Sequence, residues 1–282
     1  MLATHPDKGY RICARVFYET PVRFWARLLD DCLHFHLGHF PSAETGLAES
    51  MRFAVLDLAS QVPKKAVSRV LDIGCGWGGP AFELAKHWGS EVIGFTVSRC
   101  QARYTNRVAR RNGLPVCARK MDIETARAGQ FGRFDVVWMD EVLEHIADRR
   151  STLRAVHSYM NPGGVLAIDV CCRAPGVPRH ATSSNLMGVY SLDSLTELEV
   201  MLEESGWTIL GARDCTLLTL PVWDLWIANL AAPEQNQFRA LATALSIEFA
   251  ALRNLYYSGL LHSMQIVACA QKDTTERLRN KQ

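Results

Sequence analysis

No stretch of the 282-residue chain is apolar for the roughly 20 consecutive residues that a membrane-spanning helix needs, which excludes stable membrane insertion through such a helix. The start, MLATHPDKGYRICARVFYE, likewise lacks an uninterrupted apolar segment of signal-peptide length. There is no basic block: 31 Lys and Arg stand against 29 Asp and Glu for a net charge of +2, so nothing favours nucleic acid or an anionic membrane as partner. The nine cysteines form no CxxC pair and lie mostly in apolar runs. They are expected to be free thiols in a reducing, cytoplasmic compartment. Internal repeats and low-complexity segments are also lacking. A homodimer is permitted, although no feature of the sequence demands one.

What is present is apolar substance, 48% of the residues, enough for a large core and for a small or lipophilic ligand. From about residue 69 short apolar runs alternate with helical patterns, the signature of a parallel sheet covered on both faces. Strands are expected at 69–74, 91–95, 115–119, 134–139, 164–171, 207–214 and 263–270, and helices at 79–88, 98–112, 147–160 and 194–205. The fold class is therefore α/β: a Rossmann-like, seven-stranded doubly wound sheet with a helical cap. Two aromatic segments stand outside the alternation. Residues 10–60 have helical spacing and carry Tyr18 and Trp25; residues 216–260 carry Trp223, Trp226 and Tyr256. They are either extra core helices or a cap over a ligand site. The expected division is a cap segment at 1–62, a core at 63–215 with 261–275, and a helical insertion at 216–260 that lines a pocket.

The first strand runs into VLDIGCGWGG, residues 70–79. Gly74, Gly76, Gly78 and Gly79 let the chain turn sharply and approach a ligand closely, just past a strand end that carries Asp72. A dinucleotide site would place an acid at the end of the second strand to hold a ribose. The chain has Phe95-Thr96 there, followed by Ser98 and Gln101, which disfavours a nicotinamide dehydrogenase. Thr96 and the Gln101 amide offer ribose donors and acceptors instead.

VLDIGCGWGG followed by GFTVSRCQ resembles the cofactor site of class I S-adenosylmethionine-dependent methyltransferases, above all the cyclopropane fatty acid synthase branch with its GLTxSxxQ segment. Met121-Asp122, FDVVWMDEVLEHIAD and NPGGVLAID resemble later motifs of the same family, so the likeness covers roughly residues 34–271. It implies S-adenosyl-L-methionine as cofactor. It also implies contacts to it from Asp72, Gly74, Cys75, Gly76, Gly78, Thr96, Gln101, Asp122, Ile123 and Asp140, with Asp122 on the adenine. Leu37 and His39 stand where that branch has a cysteine and a tyrosine, which argues against bicarbonate-assisted cyclopropanation. The HxHxG stretch resembles prenyl diphosphate C-methyltransferases, and the helix-rich end resembles small-molecule C- and O-methyltransferases.

For chemistry the candidates are Glu144, His145, Glu141 and His36. Glu144-His145 matches the EH pair of cyclopropane synthases; the alternative role is to cap and orient the following helix. His34, His36 and His39 have a spacing compatible with metal ligation, but no carboxylate or cysteine completes a known pattern, and core or substrate contact is expected rather than a metal. Arg173, Arg179 and His180 follow the fifth strand, either to hold an anionic group or as a solvated loop. Tyr18, Trp25, Arg179, Tyr190 and Trp223 are the expected substrate contacts. The function implied is methyl transfer to carbon or oxygen of a small, largely apolar metabolite of natural-product biosynthesis. The alternatives are C-methylation of an alkene in a prenyl diphosphate or fatty acyl chain through a carbocation, and a cofactor-bound cyclase that transfers no methyl.

Overall fold

Strands buried on both faces read as continuous apolar runs, and residues 136–139 are all fully buried because helices cover both sides of them. The computed structural model describes residues 17–30, 32–63, 66–127, 129–179, 186–187, 189–232 and 238–271. Its strands are β1 (Arg69–Ile73), β2 (Glu91–Thr96), β3 (Val116–Lys120), β4 (Phe134–Asp140), β5 (Met160–Arg173), β6 (Trp207–Asp214) and β7 (Leu261–Ala270). The described helices are α1 (Val22–Leu28), α2 (Leu47–Ser60), α3 (Gly79–Trp88), α4 (Arg99–Arg111), α5 (Arg149–Val156), α6 (Leu195–Glu204), α7 (Thr216–Ala231) and α8 (Arg239–Tyr257).

One sheet holds all seven strands in the order β3-β2-β1-β4-β5-β7-β6. Alternate side chains divide its core. Val70, Val136 and Trp138 pack with residues of α2, α3 and α4, whereas Leu71, Val137 and Ile168 pack with α5 and α6. A third cluster joins Phe24, Trp25 and Leu37 of the amino-terminal segment to Val222, Trp226 and Phe249 of the insertion. The two segments also meet through Phe40 N–H on Leu218 O (2.8 Å) and Asn229 Nδ2 on Leu28 O (3.0 Å).

Three expectations need correction. The sheet is mixed, because β7 runs antiparallel to both β5 and β6. The physical reason is the path of the insertion: it leaves the end of β6 and returns beside it, with Cys215 N–H bonded to Ser263 O at 2.8 Å, so the chain can only run back down. The helix expected at 147–160 is α5 alone plus a 3-10 turn at His157–Tyr159, and β5 begins at Met160 rather than at 164. Residues 29–46 are not helical. Asp30 and Leu33 have positive φ (55° and 53°), and the segment makes no run of helical bonds but reaches outward, with His39 N–H on Ser50 O and Phe40 N–H on Leu218 O.

The turn after β4 is fixed from beneath by the buried guanidinium of Arg149, the first residue of α5. It donates to Leu143 O (2.9 Å), Asp193 Oδ2 (2.6 Å), Glu144 O (3.4 Å) and Ser191 O. Removing one partner of a buried ion pair leaves the other charge poorly compensated. Arg149→Ala should therefore lower unfolding free energy by about 3–5 kcal/mol in urea titrations. A loss below about 1 kcal/mol would show that the surface ion pair of Arg179 with Asp193 suffices.

Candidate active site

At the carboxyl ends of β1, β2 and β4 lies a cavity of about 440 Å³. Gly74 and Gly76 form its floor with φ of +82° and +49°, where a side chain is strained, and Asp72, Cys75, Thr96, Gln101, Asp122, Ile123 and Asp140 complete the walls. A Cβ on Gly76 would make only an ordinary contact, with Gly74 O at 3.8 Å, so it would fit without a clash; on Gly74 it would strike Val142 Cγ2 at 2.6 Å. Gly78 lies behind this floor: its φ of +91° starts α3, and a Cβ there would collide with Thr105 and Phe82.

At the end of β2 the Thr96 hydroxyl donates to Gln101 Oε1 (2.5 Å), and Ser98 caps α4 by accepting the Gln101 N–H (3.2 Å). Asp122 Oδ1 accepts the Glu124 N–H at 3.0 Å.

A second cavity of about 200 Å³ shares Tyr18, Phe35, Glu141 and His145 as walls with the first. Its other lining residues include Glu144, Cys171, Trp223, Trp226, Phe249 and Tyr256. Its lining is largely apolar and includes six aromatic side chains. The boundary between the cavities is the turn after β4, where Glu141 has φ +48° and its Oε1 accepts the Leu37 N–H (3.0 Å). Tyr18 OH lies 3.3 Å from His145 Nε2.

Acids crowd this end of the sheet. Asp72 Oδ2, Asp140 Oδ1, Glu144 Oε2 and Asp169 Oδ1 are buried with no hydrogen-bond partner among the described residues. Burial pushes Asp140 and Glu144 up to about 7, and burial followed by neighbouring carboxylates pushes Asp72, Glu141 and Asp169 well above the usual carboxylate range. Unpaired buried carboxylates are costly, so the arrangement suits a ligand that brings positive charge.

The three histidines do not converge. His36 lines the first cavity, and because the Leu37 carbonyl only accepts, its Nδ1 (3.3 Å away) carries the proton while Nε2 faces His34 Nδ1 at 3.0 Å. Burial lowers His36 to about 4, so it is neutral at pH 7. His39 lines neither cavity and pairs with Asp57 Oδ2 at 3.0 Å.

Of the remaining expected contacts, Tyr190 lines the first cavity and Trp223 the second, while Trp25 lines neither. Trp25 is fully buried behind Phe35, at 4.8 Å between ring centroids. Arg179 is turned away, bound to Asp193 (2.7 Å) and Glu197 (3.2 Å), and Arg173 also binds Glu197. His180 lies outside the described residues. Sequence reasoning missed Asp169, although a lone acid in the apolar run of β5 was the available signal.

The model of a family described as a methyltransferase domain matches residues 46–211. The chain belongs to this methyltransferase family. It is 30% identical to 27-O-demethylrifamycin SV methyltransferase of Amycolatopsis mediterranei over 71% of this chain and 76% of that one. It is also 30% identical to the chloroplastic tocopherol O-methyltransferase of Arabidopsis thaliana over 55% of this chain, and there it spans about half (48%) of the relative. The fold matches the structure of the cyclopropane synthase MmaA2 from Mycobacterium tuberculosis with a TM-score of 0.82 at 17% identity, covering 95% of this chain and 100% of that one.

The methyltransferase is an S-adenosylmethionine-dependent enzyme, and the first cavity fits that cofactor. The Gly76 floor leaves the room that a Cβ would fill, and the unpaired oxygens of Asp72 and Asp140 match a sulfonium and an ammonium. Gly76→Val should therefore abolish cofactor binding in calorimetric titration while the protein stays folded; Gly74→Val should also unfold it partly, because of Val142. Undiminished binding by folded Gly76→Val would move the site elsewhere.

The buried acids also set a pH dependence. Each holds its proton more tightly in the folded than in the unfolded chain, so their stabilising contribution is complete below about pH 4, where both states are protonated. It is lost as pH rises through about 7. The melting temperature of cofactor-free protein should fall between about pH 5 and 8, and added S-adenosylmethionine should raise it more at the upper end. A melting temperature that climbs across this range would contradict the assignment of buried, protonated acids.

Proposed function

We propose that the enzyme methylates a hydroxyl of a small, largely apolar metabolite held in the second cavity, with Glu144 accepting the proton. The observation that carries this reading is the Glu144 carboxyl. Its Oε1 is fixed by the Cys171 N–H at 2.7 Å, its Oε2 is buried and unpaired among the described residues, and Glu144 is one of the residues that line the cavity. Burial holds its affinity for a proton near pH 7, the range that suits a general base.

S-adenosylmethionine supplies an electrophilic methyl group on sulfur, and in-line displacement mainly needs the acceptor positioned and water excluded. Phe35, Trp223, Trp226 and Phe249 provide an apolar enclosure, and the indole N–H groups of Trp223 and Trp226, unpaired among the described residues, are available to oxygens of the acceptor. His145, in contact with Tyr18, closes the junction between the cavities. The relatives named for O-methylation of a tocopherol and a rifamycin support oxygen as the acceptor atom and natural-product biosynthesis as the setting. All eight described cysteines are free thiols, which supports a reducing cytoplasm as the compartment.

The aromatic walls favour one second reading, methylation of an alkene, because they also stabilise a carbocation. Glu144→Gln separates the two. For a hydroxyl acceptor, turnover should fall by roughly 10²–10⁴ at unchanged cofactor affinity and with the same product. For an alkene, the product mixture should change as well, because the base then acts on the cation. Mass spectrometry of products formed with methyl-labelled cofactor distinguishes these, and wild-type rate with wild-type products would remove Glu144 from the mechanism.

A further inference from the structure

Four side chains in register cross the sheet beside the cofactor cavity. Asp140 on β4 pairs with Asp169 on β5, Asp169 with Gln265 on β7, and Gln265 with Arg213 on β6. Register partners on adjacent strands project to the same face, here the one covered by α2. The Gln61 side-chain amide, just past the end of α2, donates to Gln265 Oε1 (2.7 Å), and Gln265 Nε2 donates to Ala54 O (3.2 Å) and Asp169 Oδ2 (2.9 Å). At the outer end Arg213 binds both carboxylate oxygens of Asp57. Of the four in the row, Asp140 alone lines the cavity.

The orientation of the Gln265 amide follows from its other two partners, since its oxygen is taken by Gln61 and the Ala54 carbonyl can only accept, so its nitrogen is what faces Asp169. Asp169 is thereby an acceptor at Oδ2. Its Oδ1 is buried without a partner among the described residues, and so is Oδ1 of Asp140 on the neighbouring strand.

The charges around the pair are almost all negative. Asp140 faces Asp72, Glu141, Glu144 and Asp169, and its basic neighbour among the described residues is the neutral His36, with Nδ1 3.9 Å from Oδ2. Asp169 faces Asp140, Glu141, Glu144 and Asp57 and the thiols of Cys171, Cys172 and Cys215, while Arg213 stands beyond Asp57. Two adjacent carboxyls in such surroundings do not both ionise.

We infer that Asp169 is a positioning residue that stays a neutral carboxylic acid with its proton on Oδ1, leaving the neighbouring Asp140 as the carboxylate presented to the positively charged cofactor. Burial, and next the charge of Asp140, raise the proton affinity of Asp169 well above the ordinary range, which agrees with the geometry. The inference rests on reading Asp140 as a cofactor contact.

Three variants of the full chain test it. Asp169→Asn keeps an acceptor for Gln265 and puts an N–H donor where the acid has its O–H. It should bind S-adenosylmethionine within about twofold of wild type and with the same pH midpoint, whereas Asp169→Ala should bind about tenfold more weakly with the midpoint moved to higher pH. Loss of packing alone would weaken binding without moving the midpoint. Infrared difference spectra of wild type minus Asp169→Asn, without cofactor near pH 7, should show one protonated carboxyl band.

Gln265→Leu removes the anchor without touching a carboxyl and should weaken binding in the direction of the Ala variant. Absence of the carboxyl band, an Asn variant as weak as the Ala variant, or wild-type affinity in folded Gln265→Leu would each overturn the inference. Undiminished binding by Asp140→Asn would instead sink the reading of Asp140 itself, and the infrared band would still report on Asp169.

Discussion

Five carboxyl side chains are buried at the carboxyl ends of β1, β4 and β5, and their desolvation is the constraint on which the site depends. Acids placed there in isolation cost stability, because low polarity disfavours their ionised forms and leaves lone pairs unpaired. The protein tolerates the cost by keeping several of them protonated and by leaving the others for a cationic ligand. Asp72 and Asp140 meet the cofactor cavity, whereas Glu144 meets only the second one. In the function we propose, the same crowding supplies affinity for a cation in one cavity and a base in the other.

The turn after β4 makes this division possible. Glu141 sits at a positive φ, a conformation that costs on the order of 1–3 kcal/mol for a residue with a side chain. Contacts from three directions hold it: Leu37 N–H on its carboxylate, Asp169 O accepting its own N–H at 2.9 Å, and Arg149 beneath the following residues. The amino-terminal segment is therefore tied directly to the turn between the two cavities, through Leu37 N–H on Glu141 and Tyr18 OH beside His145, and the aromatic cluster shared with the insertion keeps that segment in place.

The overall shape is shared with a cyclopropane synthase, yet the fold by itself does not decide the chemistry. That lies in local substitutions. Leu37 offers only its backbone to Glu141, and His39 has been drawn away to Asp57 at the outer side of the segment. The walls of the second cavity come mainly from the insertion and the amino-terminal segment, so parts of the chain outside the alternating core shape it.

The alternation of strands and helices and the glycine turn after the first strand were legible in the chain because each depends on neighbours within a few residues. Periodicity, turn chemistry and capping act over that range. The antiparallel course of β7, the irregular path of residues 29–46 and the separation of His39 from His36 were not. Each follows from contacts between distant segments, such as Cys215 with Ser263 or His39 with Asp57. Asp169 shows the limit most clearly. Its position in an apolar strand was visible, but its role needs Asp140 beside it and Gln265, 96 residues away, behind it. The one-dimensional pattern determined which residues form strands and where the glycines turn the chain; strand order and register, set by long-range burial and hydrogen bonding, decided which acids lie side by side and which line a cavity.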